Sequence, residues 1–418
     1  MDLYASGTIR TSYVDPVSFV PNGRCAFELD ADKVAYLTNM RLLNLGCTST
    51  PAHSYSPGLG ALSLIKNIRL MDARTELGRL ANPAQYLFFK NSNRTNSSNK
   101  SQDKFLKRNN LGQEISALNN KVNTVYGAGG TTAPLEADTD TAMLDLREIF
   151  PILNSVAVLP VSIFKNLRIE IEFEANPARQ VIADTSVAVT VLRPILAVDF
   201  TDDAEAVKST VETIMKQGIQ WNEIENDNFT MPGQTIATDV EPRQEVQFQS
   251  LAFRGKYLER MLICKQLSNI GLEVATNVVQ GYGGVASSQA WLQQNTQYRL
   301  NGKNVLPGFN GNVGNMERLA QLVDEWGVVT MVPGSNYYAW DNMGVVTENV
   351  GLNGQQSWDC IRIGARVREL QIQLSRLNNW NTTANAKSAT NAACVVNLYA
   401  EIKKMLEVSG AGYNVVYG

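Results

Sequence analysis

The amino-acid sequence predicts an all-β protein made of two successive domains, and three observations support this fold class. Apolar and polar residues alternate with a period of two in many short segments, which is the pattern of strands that bury one face. Asn-Gly pairs and other glycine-containing turns separate several of these segments. The chain has 418 residues, which is more than the roughly 250–300 residues that one hydrophobic core usually supports.

The clearest strand signal lies at residues 166–175. Four apolar side chains alternate there with four charged side chains, so one face of the strand is apolar and the other is charged. A strand of this kind is half exposed and is typical of an antiparallel sheet. The apolar residues are Leu167, Ile169, Ile171 and Phe173, and the charged residues are Arg168, Glu170, Glu172 and Glu174.

Other segments predict strands by the same alternation or by short apolar runs. Between Ile361 and Leu374 the apolar phase slips by one residue at Arg368–Glu369, which predicts a β-bulge or a bend. The remaining predicted strands are Lys33–Leu45, Leu62–Met71, Ser186–Val191, Val246–Phe253, Leu258–Cys264, Gln297–Leu300 and Val396–Lys403.

The strongest turn signal is Asn301-Gly302, which lies between two apolar runs. Both residues tolerate a positive φ, so this pair predicts a tight β-hairpin. The pairs Asn22-Gly23, Asn310-Gly311 and Asn353-Gly354 are weaker turn signals. Many short strands joined by such turns favour sandwiches or barrels over parallel βαβ units.

Helical patterns are few. Asp203–Gln217 has an apolar stripe, acidic residues in its first turn and Gly218 as a stop, so it predicts a helix. Asn315–Trp326 predicts a second helix, and Thr75–Ala81 predicts a shorter one. The helix near the middle of the chain is the best domain boundary. It divides the sequence into a first domain at 1–200, a linker helix at 201–218 and a second domain at 219–418.

A long polar insertion, at about 91–141, is predicted within the first domain. Its first part, Asn91–Asn110, is nearly free of aliphatic residues and cannot bury enough apolar area to order itself. Its last part, Tyr126–Thr141, is also polar and contains glycines. We expect this insertion to face outward from the domain or to lie on another chain.

The charge composition argues against tight binding of nucleic acid by the folded chain. Lys and Arg number 37 and Asp and Glu number 40, which gives a net charge of −3 and no excess of cations to neutralise phosphates. Charged residues make up only 18% of the chain, which is tolerable for a surface that is covered by other copies. The N-terminus lacks a secretory signal pattern, and no apolar run is long enough to span a bilayer. We therefore expect a soluble chain made inside the cell.

No catalytic, cofactor-binding or metal-binding residues are predicted. The five cysteines are odd in number and none are spaced as C-x-x-C, so neither a zinc site nor a disulfide framework is indicated. The one histidine, His53, has Pro, Ser and Gly neighbours typical of a surface turn. The glycine-rich stretches at 127–130 and 281–284 lack the Lys and the helix start of a phosphate loop. A pair of catalytic carboxylates, as in glycosidases, is not excluded, although no particular pair is favoured.

Several segments together resemble double-jelly-roll major capsid proteins, most closely those of polinton-like viruses, adintoviruses and virophages. The resemblance extends from about residue 33 to residue 408, and it depends on the order of short motifs. These motifs are GALSLIKNIRLMDARTELGRL (60–80), MLDLREIFPILNSVAVLPVSIFKNLRIEIEFEAN (143–176), RPILAVDF (193–200), WNEIENDNFTMPG (221–233), YRLNGKNVLP (298–307) and VVNLYAEIKKMLEV (395–408). The insertion at 91–141 matches no motif of that family.

The resemblance implies two consecutive eight-stranded jelly rolls, with a few short helices and long loops. It implies a non-enzymatic subunit that forms pseudo-hexameric homotrimers, and trimers that tile the icosahedral shell of a double-stranded DNA virus or virus-like element. The implied partners are further copies of the chain, penton and minor capsid proteins, and in some cases an inner membrane. The implied location is the virion, after synthesis in the host cytoplasm or nucleus. The alternative is an all-β carbohydrate-binding module or glycoside-acting enzyme that uses an aromatic cleft among the six Trp residues.

Overall fold

A computed structural model describes most of the two predicted domains. The described residues are 8–49, 54–55, 60–84, 86–87, 142–175, 181–182, 188–231, 234–235, 243–267, 293–304, 358–377, 380–381, 386–387, 390–391, 394–409 and 412–418. His53, the insertion at 91–141, both glycine-rich stretches and the helix predicted at 315–326 lie outside these residues.

The part of the chain before the mid-chain helix forms short strands and a few helical turns. Two 3-10 helices cover Gly60–Leu64 and Leu146–Glu148, and helix α1 covers Ile152–Ser155. The strands are β1 (Ile9–Val14), β2 (Ser18–Phe19), β3 (Arg24–Glu28), β4 (Ala35–Leu37), β5 (Arg41–Leu45), β6 (Cys47–Ser49), β7 (Ser54–Tyr55), β8 (Ile65–Asp72), β9 (Thr75–Ala81), β10 (Ala142–Asp145), β11 (Val158–Pro160), β12 (Leu167–Phe173), β13 (Val181–Ile182), β14 (Val189–Val191) and β15 (Ile195–Thr201).

These strands form a sandwich of two antiparallel sheets. One sheet has the order β10-β5-β15-β4-β11, with β1 also paired along β15, and the other has the order β2-β3-β12-β8-β9. Phe27 and Ile169 from one sheet share a buried core with Leu42 and Val198 from the other. Small two-stranded ladders, β13-β7 and β14-β6, lie outside the two main sheets.

Helix α2 (Ala204–Gln217) connects the two halves and confirms the predicted mid-chain helix. The Asp203 carboxylate caps its first turn by accepting hydrogen bonds from the backbone N–H groups of Glu205 and Ala206. Gly218 ends the helix with a φ of 69°, and a Cβ at this position would lie 2.1 Å from the Leu406 carbonyl oxygen. Glycine is therefore required at this turn by both its backbone conformation and its close approach to another strand.

The part of the chain after α2 forms a second sandwich. Its main sheets have the orders β16-β27-β19-β22, with β28 also paired along β27, and β18-β23-β20-β21. The strands are β16 (Ile219–Met231), β17 (Gln234–Thr235), β18 (Arg243–Ser250), β19 (Tyr257–Leu267), β20 (Gln293–Leu300), β21 (Lys303–Asn304), β22 (Trp358–Arg366), β23 (Leu370–Leu377), β24 (Trp380–Asn381), β25 (Ala386–Lys387), β26 (Thr390–Asn391), β27 (Cys394–Ser409) and β28 (Gly412–Tyr417).

The two sandwiches share one topology. In the first, β4 and β5 pair successively along β15 and act as one interrupted strand, as do their neighbours β11 and β10. We rank the eight principal strands of each sandwich from one to eight in chain order. In the first sandwich they are β1, β3, β4/β5, β8, β9, β10/β11, β12 and β15, and in the second they are β16, β18, β19, β20, β21, β22, β23 and β27. With these ranks, both sandwiches have one sheet of order 1-8-3-6 and one of order 2-7-4-5. The fold is a double jelly roll, as the sequence resemblance implies.

Most predicted strands are confirmed, and one predicted helix is wrong. Thr75–Ala81 is strand β9, which forms a hairpin with β8. A bulge explains the error, because Met71 pairs with Glu76 and Leu70 with Gly78, so that Leu77 is left without a partner. Leu77 and Leu80 are both buried as a result, and their spacing of three residues imitates a helical stripe.

Two other predictions are resolved by the sheet pairings. The phase slip at Arg368–Glu369 is a bend, because the chain passes there from β22 in one sheet to β23 in the other. Asn301 and Gly302 have φ values of 51° and 81° and join β20 to β21 as the predicted hairpin. The predicted strand Lys33–Leu45 is divided into β4 and β5.

Candidate functional site

The principal site of interest is the junction where the second jelly roll packs against the first. Strand β16 lies against β9 and α1 of the first jelly roll. Trp221, Ile224, Tyr399 and Leu406 of the second jelly roll belong to the same buried core cluster as the interior of the first. This apolar continuity means that the two sandwiches share one core at the junction, rather than touching through a solvated surface.

A buried carboxylate lies at the centre of this junction. Glu223 on β16 is only 1% exposed, and its Oε2 accepts a hydrogen bond from the Trp221 indole N–H at 2.7 Å. Its Oε1 accepts a hydrogen bond, 3.4 Å long, from the backbone N–H of Arg79 on β9. A Cβ at Gly78 would lie 3.3 Å from the carboxylate oxygens and 2.9 Å from the Phe150 ring, so glycine permits this close approach. The carboxylate therefore connects the two jelly rolls.

A buried lysine lies beside this carboxylate. Lys404 on β27 is 6% exposed, and its Nζ is 3.2 Å from the Glu225 Oε1. Lys256 pairs with the other oxygen of Glu225. The Nζ atoms of Lys404 and Lys256 lie over the ring of Tyr417, at 5.3 Å and 4.7 Å from its centre respectively. We call Trp221, Glu223, Glu225, Lys256, Lys404 and Tyr417 the junction cluster.

Burial and charge act in opposite directions on the two groups at the centre of the cluster. Burial raises the pKa of Glu223 from its ordinary 4.5 to about 7, although Lys404 and the two hydrogen bonds oppose this shift. Burial alone would lower the pKa of Lys404, but the adjacent Glu223 and Glu225 carboxylates outweigh burial and raise it. Lys404 therefore stays charged, and Glu223 is the group that titrates near neutral pH.

Two tyrosines make further polar contacts across the junction. The Tyr413 hydroxyl of β28 donates a 2.7 Å hydrogen bond to the Asp72 carboxylate of β8. The Tyr399 hydroxyl of β27 donates a 3.3 Å hydrogen bond to the Asn82 carbonyl, and its ring lies 5.4 Å from the ring of Tyr86. Burial and the Asp72 carboxylate raise the pKa of Tyr413, so this hydroxyl remains a donor at ordinary pH.

The outer face of strands β3, β12 and β8 in the first jelly roll is a second feature, which we call the charged face. Glu170 receives two arginines there, with Arg69 and Arg168 each 2.6 Å from one of its oxygens. Lys66 pairs with Glu172 at 3.0 Å. A cavity of about 420 Å³ lies over part of this face, and its lining residues are Val17, Ser18, Arg24, Cys25, Ala26, Glu28, Asn67, Arg69, Arg168, Glu170, Ile171 and Glu172.

No catalytic arrangement is found in this cavity. Cys25 is buried, and desolvation raises the pKa of its thiol to about 12, so the thiolate nucleophile is not formed at neutral pH. Among the residues that the structure describes, no group of three or more His, Cys, Asp or Glu side chains is placed to hold a metal ion. Within the same residues, no helix has the length and apolar character needed to cross a bilayer.

The corresponding outer face of the second jelly roll carries several amides alongside the charged Arg299 and Glu369. Gln247 and Gln249 are exposed on β18, and Gln371 and Gln373 are partly exposed on β23. Glu369 accepts hydrogen bonds from the side-chain amides of Gln249 and Gln371, at 3.3 and 2.7 Å. The two equivalent faces thus have different chemistry.

The junction cluster is not among the residues that the sequence pattern singled out. A usable signal exists, because Glu223 alternates with Trp221 and Ile219 on β16, which places a carboxylate on a face that starts with apolar residues. Lys404 likewise follows Ile402 and precedes Leu406 at alternate positions of β27. An ionisable residue at an inward position of a strand indicates a buried polar contact.

Comparison with known proteins identifies the fold. No protein-family model matches the sequence, and no curated protein sequence matches it either. The structure is similar to that of the PBCV-1 virus capsid, with a TM-score of 0.54 at 11% identity over 98% of this chain and 96% of that chain. It is also similar to the Sputnik virophage structure, with a TM-score of 0.53 at 11% identity over 98% and 88% of the two chains. The Faustovirus major capsid protein has a TM-score of 0.52 at 8% identity, over 96% and 90%.

The chain therefore has the double-jelly-roll fold seen in viral major capsid proteins. A peptide-N-glycosidase F structure has a TM-score of only 0.22 with this chain, which is too low to indicate a shared fold.

Proposed function

We propose that the chain is the major structural subunit of the capsid of a double-stranded DNA virus or virus-like element. It forms homotrimers that look hexagonal because each copy contributes two similar sandwiches, and these trimers tile an icosahedral shell. The observation that supports this proposal is the repeat of the 1-8-3-6 and 2-7-4-5 strand orders within one chain. The protein resides in the virion after synthesis in the host cytoplasm or nucleus.

The junction suits a subunit of this kind. A shell tile must hold its two sandwiches in one orientation, because neighbouring tiles contact both of them. The shared apolar core and the hydrogen bonds from Arg79 to Glu223 and from Tyr413 to Asp72 give the junction that rigidity.

The proposal assigns no catalytic, cofactor-binding or metal-binding residue to this chain. A carbohydrate-binding module would need exposed aromatic rings for sugar stacking. Trp221 does not supply one, because it is 4% exposed and its indole N–H is bonded to Glu223. Trp221 is therefore not a stacking ring for the carbohydrate-binding or glycoside-acting alternative, and the structural role has its support in the repeated strand order.

The proposed partners follow from the same role. Further copies of the chain form the trimer and the contacts between trimers, and penton and minor capsid proteins complete the shell. The net charge of −3 argues against a sequence-specific grip on the genome, and an inner membrane is compatible with that charge. We assign residues 1–200 and 219–418 to the two jelly rolls and 201–218 to their linker.

The mass of the purified chain in solution tests this proposal. Light scattering coupled to size-exclusion chromatography should give about three times the chain mass of 46.0 kDa, and electron microscopy of the same fraction should show hexagonal particles. A stable monomer that retains its β-sheet circular-dichroism signal would contradict the proposal. Binding of that monomer to a glycan array would instead favour the carbohydrate-binding alternative.

A further inference from the structure

The two jelly rolls begin with equivalent strands that are covered very differently. β1 pairs along β15 in the first, and β16 pairs along β27 in the second, so each is rank one beside rank eight in the same strand order. The two strands also start similarly, with IRTSYV at 9–14 and IQWNEI at 219–224. They are therefore a matched pair in one molecule.

The start of β16 is covered by the first jelly roll. Ile219, Trp221 and Glu223 are 3%, 4% and 1% exposed, and β9 and α1 lie against this strand. The rank-one strand of the second jelly roll is therefore covered by the side of the first jelly roll that carries its rank-five strand, β9. This intrachain contact shows which surface of a jelly roll fits against a rank-one strand.

The equivalent region of β1 is exposed. Tyr13, which stands where β16 has Glu223 when the two strands are aligned on their first residues, is 69% exposed. Val17 and Val20 follow closely in the chain and are each 59% exposed. Among the strands that the structure describes, β1 pairs only with β15, so one edge of its backbone has no strand beside it. An open strand edge and exposed apolar side chains close to it in the chain are typical of an interaction surface.

We propose that this region, the β1 edge with Tyr13, Val17 and Val20, is the surface on which the second jelly roll of an adjacent copy of this chain docks. This inference rests on the proposed function, because it names the surface through which the copies associate. The contact between the two jelly rolls of one chain uses different surfaces on each partner, so it is heterologous. If the second jelly roll of each copy makes the same kind of contact with β1 of the next copy and the copies form a closed ring, every rank-one strand is covered.

Substitution of the β1 surface tests the inference by its effect on association. The double variant Tyr13→Ser, Val17→Ser should dissociate to the 46.0 kDa chain at a protein concentration at least tenfold higher than the wild type. The control is Met215→Ser on α2, which removes another exposed apolar side chain, 56% exposed, and should leave the mass unchanged. Circular dichroism establishes that both variants keep their sheets. A double variant that associates as tightly as the wild type would overturn the inference.

Site-specific cross-linking provides a second test that does not depend on weakening the protein. A photoreactive benzoylphenylalanine placed at Tyr13 keeps an aromatic ring there, and mixing with isotopically labelled chains distinguishes contacts between copies from contacts within one. We expect cross-links between copies, from position 13 to residues 219–418. If the wild type is a trimer but the cross-links fall elsewhere or do not form, the docking surface is wrong and the proposed function stands. If the wild type is a monomer, both fail.

Discussion

The two jelly rolls have the same strand order but keep their charges in different places. The first carries paired Arg, Lys and Glu side chains on the partly exposed charged face, and the second carries amides on the equivalent face. The second also buries the oppositely charged Glu223 and Lys404 together at the junction, whereas the buried charged residues of the first are the carboxylates Asp72 and Asp199. The strand order is thus compatible with either surface chemistry, because it depends on the apolar inner faces that both sandwiches share.

The contribution of a charged residue to stability depends on whether it is exposed or buried. Ion pairs on a partly exposed face are screened by water and contribute little to stability. Buried charges are costly unless each has a partner, and Glu223 obtains one of its hydrogen bonds from Arg79 of the first jelly roll. Asp72 of the first jelly roll likewise accepts a hydrogen bond from Tyr413 of the second, so each jelly roll has a buried carboxylate that depends on the junction.

Of the following substitutions, removal of the buried cation Lys404 should lower the free energy of unfolding the most. Lys404→Met leaves Glu223 and Glu225 without their closest buried positive charge, and we expect a loss of about 3–5 kcal/mol in the free energy of unfolding. Urea unfolding followed by tryptophan fluorescence measures it in the second half, because all six Trp residues lie after position 217. The neighbouring Lys403→Met, at an exposed ion pair, is the control and should have a much smaller effect. Equal losses would contradict a special role for the buried lysine.

The pH dependence of stability should reveal the buried carboxylate. The pKa of Glu223 is higher in the folded chain than in the unfolded chain, so the folded state holds its proton more tightly. Ionisation of Glu223 in its buried site lowers the free energy of unfolding. This penalty is absent below pH 4.5 and is complete above about pH 7. This group should therefore lower stability by about 3 kcal/mol as the pH rises across that window.

Glu223→Gln isolates this contribution, because the amide does not titrate. Its single oxygen accepts only one of the two hydrogen bonds that the carboxylate accepts, but that loss is the same at every pH. The difference in urea midpoint between wild type and variant should change between pH 5 and pH 8. Glu174 in the first jelly roll, whose pKa burial also raises, is present in both proteins and cancels in the difference. A difference that stays constant over this range would show that Glu223 does not titrate there.

The smallest effect should come from the charged face. Glu170→Gln removes the carboxylate that two arginines share, and we expect a loss of at most about 1 kcal/mol that shrinks in high salt. Gln371→Ala on the amide face of the second jelly roll is the matched control, and its effect should not depend on salt. Thermal unfolding by circular dichroism at low and high salt measures both. A loss of several kcal/mol for Glu170→Gln would mean that the charged face stabilises the fold as strongly as the buried cluster.

The local features of the fold could be predicted because neighbouring residues decide them. Helix α2 begins at its Asp203 cap and ends at Gly218, and the Asn301-Gly302 pair adopts the positive φ values that its hairpin requires. The strand at 167–173 likewise follows from its own alternation. The prediction was wrong at β9, where a bulge against β8 changes the spacing of buried residues, and that pairing is not visible in the strand's own sequence.

By itself, the sequence determined the all-β class, the mid-chain helix and the absence of a recognisable catalytic motif, since alternation, caps and composition are local or global properties of the chain. Only the tertiary structure decided that Glu223 and Lys404 are buried together while Tyr13 is left exposed. The apolar neighbours of Glu223 and Lys404 at alternate positions indicate burial, but they do not show that these two residues meet or that Tyr13, in the equivalent place of a similar strand, is left open. Their exposure differs because distant segments, β9 and α1, cover one strand and leave the other open, and such contacts depend on how the whole chain packs.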